Sequence, residues 1–135
     1  MGRRKFVLAA LCALIVIAVG WALVRTADPE TTTAGARACS LATLPPQALD
    51  TVRKIRANGP FPFPPNDGVV FDNREGHLPG QLRGYYHEYT VITPGAPGRS
   101  RRRIVTGGSP LTNPLQYFYT DDHYDSFCLI TDAGR

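Results

Sequence analysis

The chain predicts an α+β domain, in which one amphipathic helix packs on an antiparallel sheet of about five short strands, all preceded by an apolar leader helix. Three observations carry that reading. Only one stretch, between Thr43 and Asn58, repeats its apolar residues at three- and four-residue spacing. Every later apolar run is short, aromatic or β-branched, and bounded by Pro, Gly or Asn. The helical segment comes first and the strands follow without alternating helices, so no parallel crossover is indicated.

A chain of 135 residues, 43% hydrophobic and 19% charged, suits a single domain of ordinary composition. The formal charge of +4 points only weakly to a polyanionic partner. Three of the cations, Arg3, Arg4 and Lys5, open the chain, so the cluster Arg99, Arg101, Arg102 and Arg103 says more about a binding face than net charge does.

Taken in order, residues 1–25 read as a signal peptide or an N-terminal membrane anchor: a basic start, then an unbroken apolar run from Phe6 to Val24, closed by Arg25. Either fate leaves the remainder outside the membrane, secreted or anchored. Residues 26–38, rich in Thr and Ala without apolar periodicity, read as a linker, and residues 39–135 as the folded domain. In its helix Ala48, Leu49, Val52 and Ile55 face inward, the prolines at 45 and 46 sit in the first turn, and Asn58-Gly59-Pro60 ends it.

The proline-rich stretch Phe61 to Gly68 is a loop. Strands are expected at 69–71, 84–93, 101–106, 116–120 and 124–130, joined by turn-rich segments. Cys12 lies in the leader, leaving Cys39 and Cys128 to pair in an oxidising compartment. Such a bridge would close a loop of about 90 residues and stabilise by about 4–5 kcal/mol. Neither cysteine has a second Cys or His at metal-ligand spacing.

The segment Gly84-Tyr85-Tyr86-His87-Glu88-Tyr89-Thr90 carries a carboxylate in the middle of an aromatic strand. By alternation Glu88 shares a face with Tyr86 and Thr90, and His87 shares the other with Tyr85 and Tyr89. Glu88, the arginine run, His123 and the loop Phe71 to Glu75 are the candidates for chemistry. A carboxylate and an imidazole suit a base and an acid, and guanidinium groups hold a phosphate. Taken singly, each has a plainer reading: Glu88 as a solvated residue on the outer face of a sheet, His123 as an exposed turn residue, and the arginines as a solvated face.

The segments Gly59-Pro60-Phe61-Pro62, Asp67-Gly68-Val69-Val70-Phe71, Asn73-Arg74-Glu75, Gly84 to Gly95, Arg102 to Gly107 and Asp122-His123-Tyr124 resemble, in the same order, the bacterial guanyl-specific ribonucleases, the group of barnase and ribonuclease Sa. The resemblance runs from Cys39 to Ile130 and implies the microbial ribonuclease fold. It implies an endoribonuclease that cleaves single-stranded RNA 3′ of guanosine by transesterification, through a 2′,3′-cyclic phosphate to a 3′-phosphate. Glu88 would be the general base and His123 the general acid, with Arg103 and Arg99 at the scissile phosphate. Glu75 would accept from guanine N1 and N2. Asn73, by backbone and side chain, and the Arg74 amide would reach the O6 and N7 edge, Phe71 would line the base, and Tyr124 would offer the phosphate its hydroxyl.

No metal or other cofactor is implied, because an intramolecular 2′-hydroxyl nucleophile and arginines suffice for the chemistry. The implied partners are single-stranded RNA and an acidic inhibitor of the barstar kind, with the protein a monomer that meets a membrane only through an uncleaved leader. Two other readings are an RNA-binding module without turnover and a delivered ribonuclease toxin domain. The chain departs from the family pattern at three places. Asp72 stands where an uncharged residue is usual, the loop from Gly108 to Leu115 is longer, and Cys128 lies inside the last strand rather than near the C-terminus.

Overall fold

The predicted helix, α1, occupies Pro46–Ala57 in the structure, a computed structural model that describes residues 36–134. The leader and most of the linker lie outside the described residues. Pro46 takes the first helical position, where a missing N–H leaves nothing unpaired. At the other end Asn58 adopts a left-handed conformation (φ 58°), and the amides of Asn58 and Gly59 donate to the carbonyls of Ile55 and Lys54. Ala48, Val52 and Ile55 are buried as expected. Leu49 is only partly buried, and Thr51 takes the inward position, its hydroxyl 3.2 Å from the Thr90 carbonyl.

Among the described residues six strands form one sheet: β1 (Arg37–Cys39), β2 (Val69–Val70), β3 (Tyr86–Thr90), β4 (Arg103–Gly107), β5 (Gln116–Thr120) and β6 (Cys128–Ile130). Their order is β1-β6-β5-β4-β3-β2, antiparallel throughout except for the pair β1 and β6. The five expected strands are present. The sixth, β1, begins at Arg37, two residues before the expected start of the domain, and makes the sheet mixed. Nothing in Arg37 or Ala38 favours a strand. They pair because Cys39 is bonded to Cys128 and its carbonyl accepts from the Thr131 amide at 2.9 Å.

The strands are also shorter than read. Tyr85 precedes β3, its amide donating to Leu82 O in a turn, so alternation does not extend to it. It packs edge-on against Tyr86 with ring centroids 4.9 Å apart, not on the His87 face. Gly107 makes room for this pair: a Cβ there would lie 2.8 Å from Tyr85 Cε1 and 3.0 Å from Tyr86 Cε1. Tyr124 to Ser126 form a turn rather than the start of the last strand.

The two faces of the sheet bury different cores. Against α1 lie Tyr89, Val91, Ile104, Tyr117, Tyr119, Cys128 and Ile130, with Phe61 added from the proline loop. On the opposite face Leu78, Tyr86, Val105 and Phe118 form an aromatic-rich floor, flanked by Phe71, Tyr124 and Phe127. Glu88 sits on this second face, in register with Val105 on β4. Asp67 secures the end of β3, since its buried carboxylate accepts from the amides of Thr90 at 2.7 Å and Phe63 at 3.0 Å.

Candidate active site

β3 and β4 bring one carboxylate and two guanidinium groups together. Arg103 stands opposite Thr90 in the ladder, two residues along from Glu88 and on the same face. It is 2% exposed, and its Nη1 donates to the carbonyls of Arg102, Ser100 and Arg99 at 2.8, 3.0 and 3.1 Å. These bonds fix the cation against the loop that leads into β4. Arg99 in that loop is steadied in turn by Thr90, whose hydroxyl accepts from Nε at 3.1 Å. Its Nη2 lies 3.9 Å from Glu88 Oε1, close enough for ion pairing but too far for a hydrogen bond.

Arg99 Nη2 and Arg103 Nε are therefore buried donors without an acceptor among the described residues. Buried guanidinium hydrogens demand a partner, and two of them beside a carboxylate define a place for an anionic oxygen.

The electrostatics agree with that geometry. Burial pushes the Glu88 carboxyl above the usual glutamate range, opposed by the positive charges of Arg99, Arg103 and His123. Burial pulls Arg103 below its ordinary value, helped by Arg99 and opposed by Glu88 and Asp67. His123 therefore stands within electrostatic reach of Glu88, although 35 residues separate them (123 − 88).

The turn after β5 delivers His123. Both His123 (φ 63°) and Tyr124 (φ 79°) are left-handed, a conformation uncommon for such bulky residues and sustained only by surrounding bonds. Asp122 supplies those bonds. Its Oδ1 accepts from Thr120 Oγ1 at 2.8 Å and the Ser126 amide at 2.9 Å, and its Oδ2 from Ser126 Oγ at 2.5 Å. The Ser126 hydroxyl, first among these donors, holds the Asp122 carboxyl down to about 2, so it stays ionised at working pH. Asp122 is thus the turn former that orients His123, while Asp121 has no bond of this kind among the described residues.

Tyr124 occupies the centre of the site. Its hydroxyl donates to Glu88 Oε2, the left-handed turn carrying the ring over β3. The ring packs between His123, at 4.8 Å, and Phe71, at 4.9 Å. Base, acid and the loop after β2 are thereby joined through one side chain.

In that loop the side chain of Asn73 (φ 49°) pairs with the backbone of Leu78. Its Nδ2 donates to Leu78 O at 2.9 Å and its Oδ1 accepts from Leu78 N at 3.0 Å. This side chain holds the loop in shape, with one N–H and one lone pair left over beside its backbone. Glu75 and Arg74 are exposed at the loop's tip. Asp72, the residue out of family pattern, lies 3.4 Å from both Arg74 and Arg83. These are exposed pairs that contribute little to stability.

One linking residue stands outside the sequence candidates. His77 lies at the surface, but its Nδ1 is 2.9 Å from Tyr124 O and so ties the 71–77 loop to the turn bearing His123. No local signal announces a bond between residues so distant in sequence. Cys39 and Cys128 are disulfide-bonded, with Cα atoms 5.7 Å apart.

Comparison with known proteins agrees with this arrangement. A family model described as ribonuclease matches residues 27–131. The chain is similar to guanyl-specific ribonuclease Sa of Kitasatospora aureofaciens, 56% identical over 90 residues, which cover 67% of this chain and 88% of that protein. It is also similar to guanyl-specific ribonuclease St of Saccharopolyspora erythraea, 52% identical over 97 residues, covering 72% and 90% respectively. Among solved structures, ribonuclease Sa2 with guanosine-2′-cyclophosphate aligns with a TM-score of 0.63 at 45% identity, covering 71% of this chain and 96% of that one.

Proposed function

The chain belongs to the ribonuclease family, in its bacterial guanyl-specific branch, and from that premise we propose that Glu88 and His123 are its base and acid. The protein is an endoribonuclease that cleaves RNA after guanosine by way of a 2′,3′-cyclic phosphate. The observation that carries the residue assignment is the meeting of Glu88, Arg99, Arg103 and His123 around two buried donors that lack an acceptor.

In the first step Glu88 takes the proton from the ribose 2′-hydroxyl as the 2′-oxygen attacks phosphorus. The bond to the 5′-oxygen breaks and His123 protonates that leaving oxygen. Arg99 and Arg103 meet the charge gathering on the non-bridging oxygens, and because the protein already holds both in place, little reorganisation is needed. In the second step His123 takes a proton from water, the water oxygen attacks the cyclic phosphate, and Glu88 returns its proton to the 2′-oxygen. The product is a 3′-phosphate. Tyr124 orients Glu88. The need for a 2′-hydroxyl excludes DNA as a substrate.

Guanine selection falls to the loop after β2. Glu75 accepts from N1 and N2, the backbone amides of Asn73 and Arg74 meet the O6 and N7 edge, and Phe71 packs on the base. Guanine alone carries donors at both N1 and N2, so one carboxylate discriminates it from adenine, and the edge it reads must be unpaired. Cleavage mapping on a mixed-base, single-stranded oligoribonucleotide tests this. Glu75→Ala is expected to reduce the preference for guanosine over adenosine by about 10- to 100-fold, as for a lost bidentate contact. Because Glu75 is exposed, the unfolding midpoint should hardly move. An unchanged cleavage pattern would remove Glu75 from the recognition site.

The apolar leader and the Cys39–Cys128 bridge support export to an oxidising compartment. N-terminal sequencing of protein recovered from culture medium is expected to begin near the end of residues 1–25. Activity confined to the membrane fraction would instead make the leader an anchor. An acidic inhibitor of the barstar kind would offer carboxylates to the same guanidinium donors and so compete with RNA.

A further inference from the structure

The loop that reads the base and the turn that carries the acid are distant in sequence but joined in space by one directed bond, between His77 Nδ1 and Tyr124 O at 2.9 Å. A carbonyl oxygen can only accept, so the imidazole nitrogen is the donor. The neutral ring protonated at Nδ1 and the imidazolium both supply that proton, so the bond does not depend on the charge of His77. His77 is exposed and therefore adds little to the core.

What stands at each end gives this bond its consequence. On one side residues 73–78 are cross-braced: the Asn73 side chain holds the amide and carbonyl of Leu78 at 3.0 and 2.9 Å, and the Asn73 carbonyl accepts from Gly76 N at 3.0 Å. Leu78 is buried in the second core, so the braced segment has a fixed base. Glu75 sits at its tip, and His77 directly precedes the residue that closes it. On the other side both backbone polar groups of Tyr124 are tied, the amide to Thr120 Oγ1 at 3.1 Å and the carbonyl to His77. The left-handed pair His123 and Tyr124 persists only where its surroundings over-determine it. Thr120, Asp122 and Ser126 brace the turn from within, and His77 braces it from the loop that meets the base. Tyr124 in turn gives its hydroxyl to Glu88 and packs its ring 4.8 Å from that of His123. A small rotation of the peptide after Tyr124 therefore moves the acid and the donor that orients the base together.

We propose that His77 is a positioning residue that couples recognition of the base to proton transfer. Guanine seated against residues 73–75 steadies the braced segment, and the bond from His77 passes that constraint to the peptide between Tyr124 and Asp125, which sets His123 against the leaving oxygen. This rests on the nuclease reading. His77 touches no reacting atom and no part of the base. Its removal leaves the base contacts in place, so the effect falls on kcat and not on KM.

Two replacements of nearly equal shape test this. Asparagine presents an Nδ2–H where histidine presents Nδ1–H, and leucine has the same branching without a donor. His77→Leu is expected to lower kcat for GpU about tenfold, equivalent to ~1.4 kcal/mol, with KM within about twofold. His77→Asn should recover kcat to within about threefold of the unaltered protein. A second readout needs no turnover. The Asp125 amide belongs to the same peptide unit as the Tyr124 carbonyl, so its ¹⁵N resonance reports the bond. Guanosine carries the base but no phosphate to engage the arginines, and adding it should shift that resonance in the unaltered protein and in His77→Asn but not in His77→Leu. The measurement on the unaltered protein requires no variant to fold. An unchanged kcat in His77→Leu overturns the inference, as does a loss confined to KM, or an asparagine variant as slow as the leucine one. So does an Asp125 resonance that ignores guanosine in the unaltered protein or still responds in His77→Leu. Each of these leaves the nuclease reading standing, whereas failure of the unaltered protein to cleave GpU overturns that reading, and this inference with it.

Discussion

Replacing Glu88 by glutamine is expected to lower kcat/KM for GpU by about 10²–10⁴-fold, the range over which a positioned base contributes, and His123→Ala by a similar factor. Glutamine keeps the shape of Glu88 and an oxygen to accept from Tyr124, so the site stays assembled while its base is removed. Far-ultraviolet circular dichroism should be unchanged. The two losses should not add, because base and acid act on one transition state and the second substitution removes assistance already disabled by the first.

The pH profile gives a separate check. Glu88 must be ionised to accept a proton, and burial raises its pKa despite the three cations around it. The acidic limb of kcat/KM should therefore lie above the range of an ordinary glutamate, and it should vanish in Glu88→Gln. The sign for stability is the reverse of the usual carboxylate case. A carboxyl whose pKa is raised by folding stabilises the folded state below its unfolded pKa, and that contribution is lost as pH rises through the folded value. The ionised base at neutral pH is thus a local cost that the surrounding fold carries. Wild-type rates in both variants would show that Glu88 and His123 are not the pair that moves the protons.

Much of the scaffold was legible in the sequence because it depends on local rules. The spacing of Ala48, Val52 and Ile55 and the stop at Asn58-Gly59 define α1 without knowledge of any partner. Alternation along residues 86–90 puts Glu88 on one face and His87 on the other, as found.

The site itself was legible only in its residue types. Arg103 in isolation reads as one cation in a solvated run, yet it is buried, because the register of β4 against β3 and β5 places it between Thr90 and Thr120. No periodicity carries that information. The same holds for the bond between His77 and Tyr124 and for the engagement of Asn73 with Leu78, where a loop's own folding decides which polar groups remain for a ligand. The resemblance implies a phosphate contact for Tyr124, and nothing in the sequence announces that its hydroxyl also meets Glu88.

Reducing the Cys39–Cys128 bridge should lower the unfolding free energy by about 4–5 kcal/mol, since 89 residues separate the two sulfurs along the chain and the reduced unfolded state regains the freedom of that loop. Such a loss is a large part of the stability of a domain this size. The bridge also holds structure that little else holds. β1 has one neighbour, β6, and in their register Cys39 stands opposite Ile130 while Cys128 stands opposite Arg37, so the disulfide runs diagonally across the pair.

Without it, β1 retains its three-pair ladder with β6, the Cys39 carbonyl bonds from the Thr131 amide and hydroxyl, and the Leu41 amide bond to Asp132 Oδ1 at 2.9 Å, all on one edge. Equilibrium unfolding in urea, with and without reductant, measures the change. A shifted midpoint with a modestly larger m-value is expected, because the reduced chain expands further when unfolded. Amide exchange should show the opening starting at β1 and β6. β6 follows directly on the turn that presents His123, so this strand anchors the acid's side of the site, whereas Glu88, Arg99 and Arg103 depend on β3, β4 and the loop between them. Under mild reducing conditions that leave the domain folded, turnover should therefore fall before the unfolding signal of the β3–β4 ladder appears. A midpoint unmoved by reductant would mean that the hydrogen bonds of Cys39, Leu41 and Thr131 hold the edge by themselves.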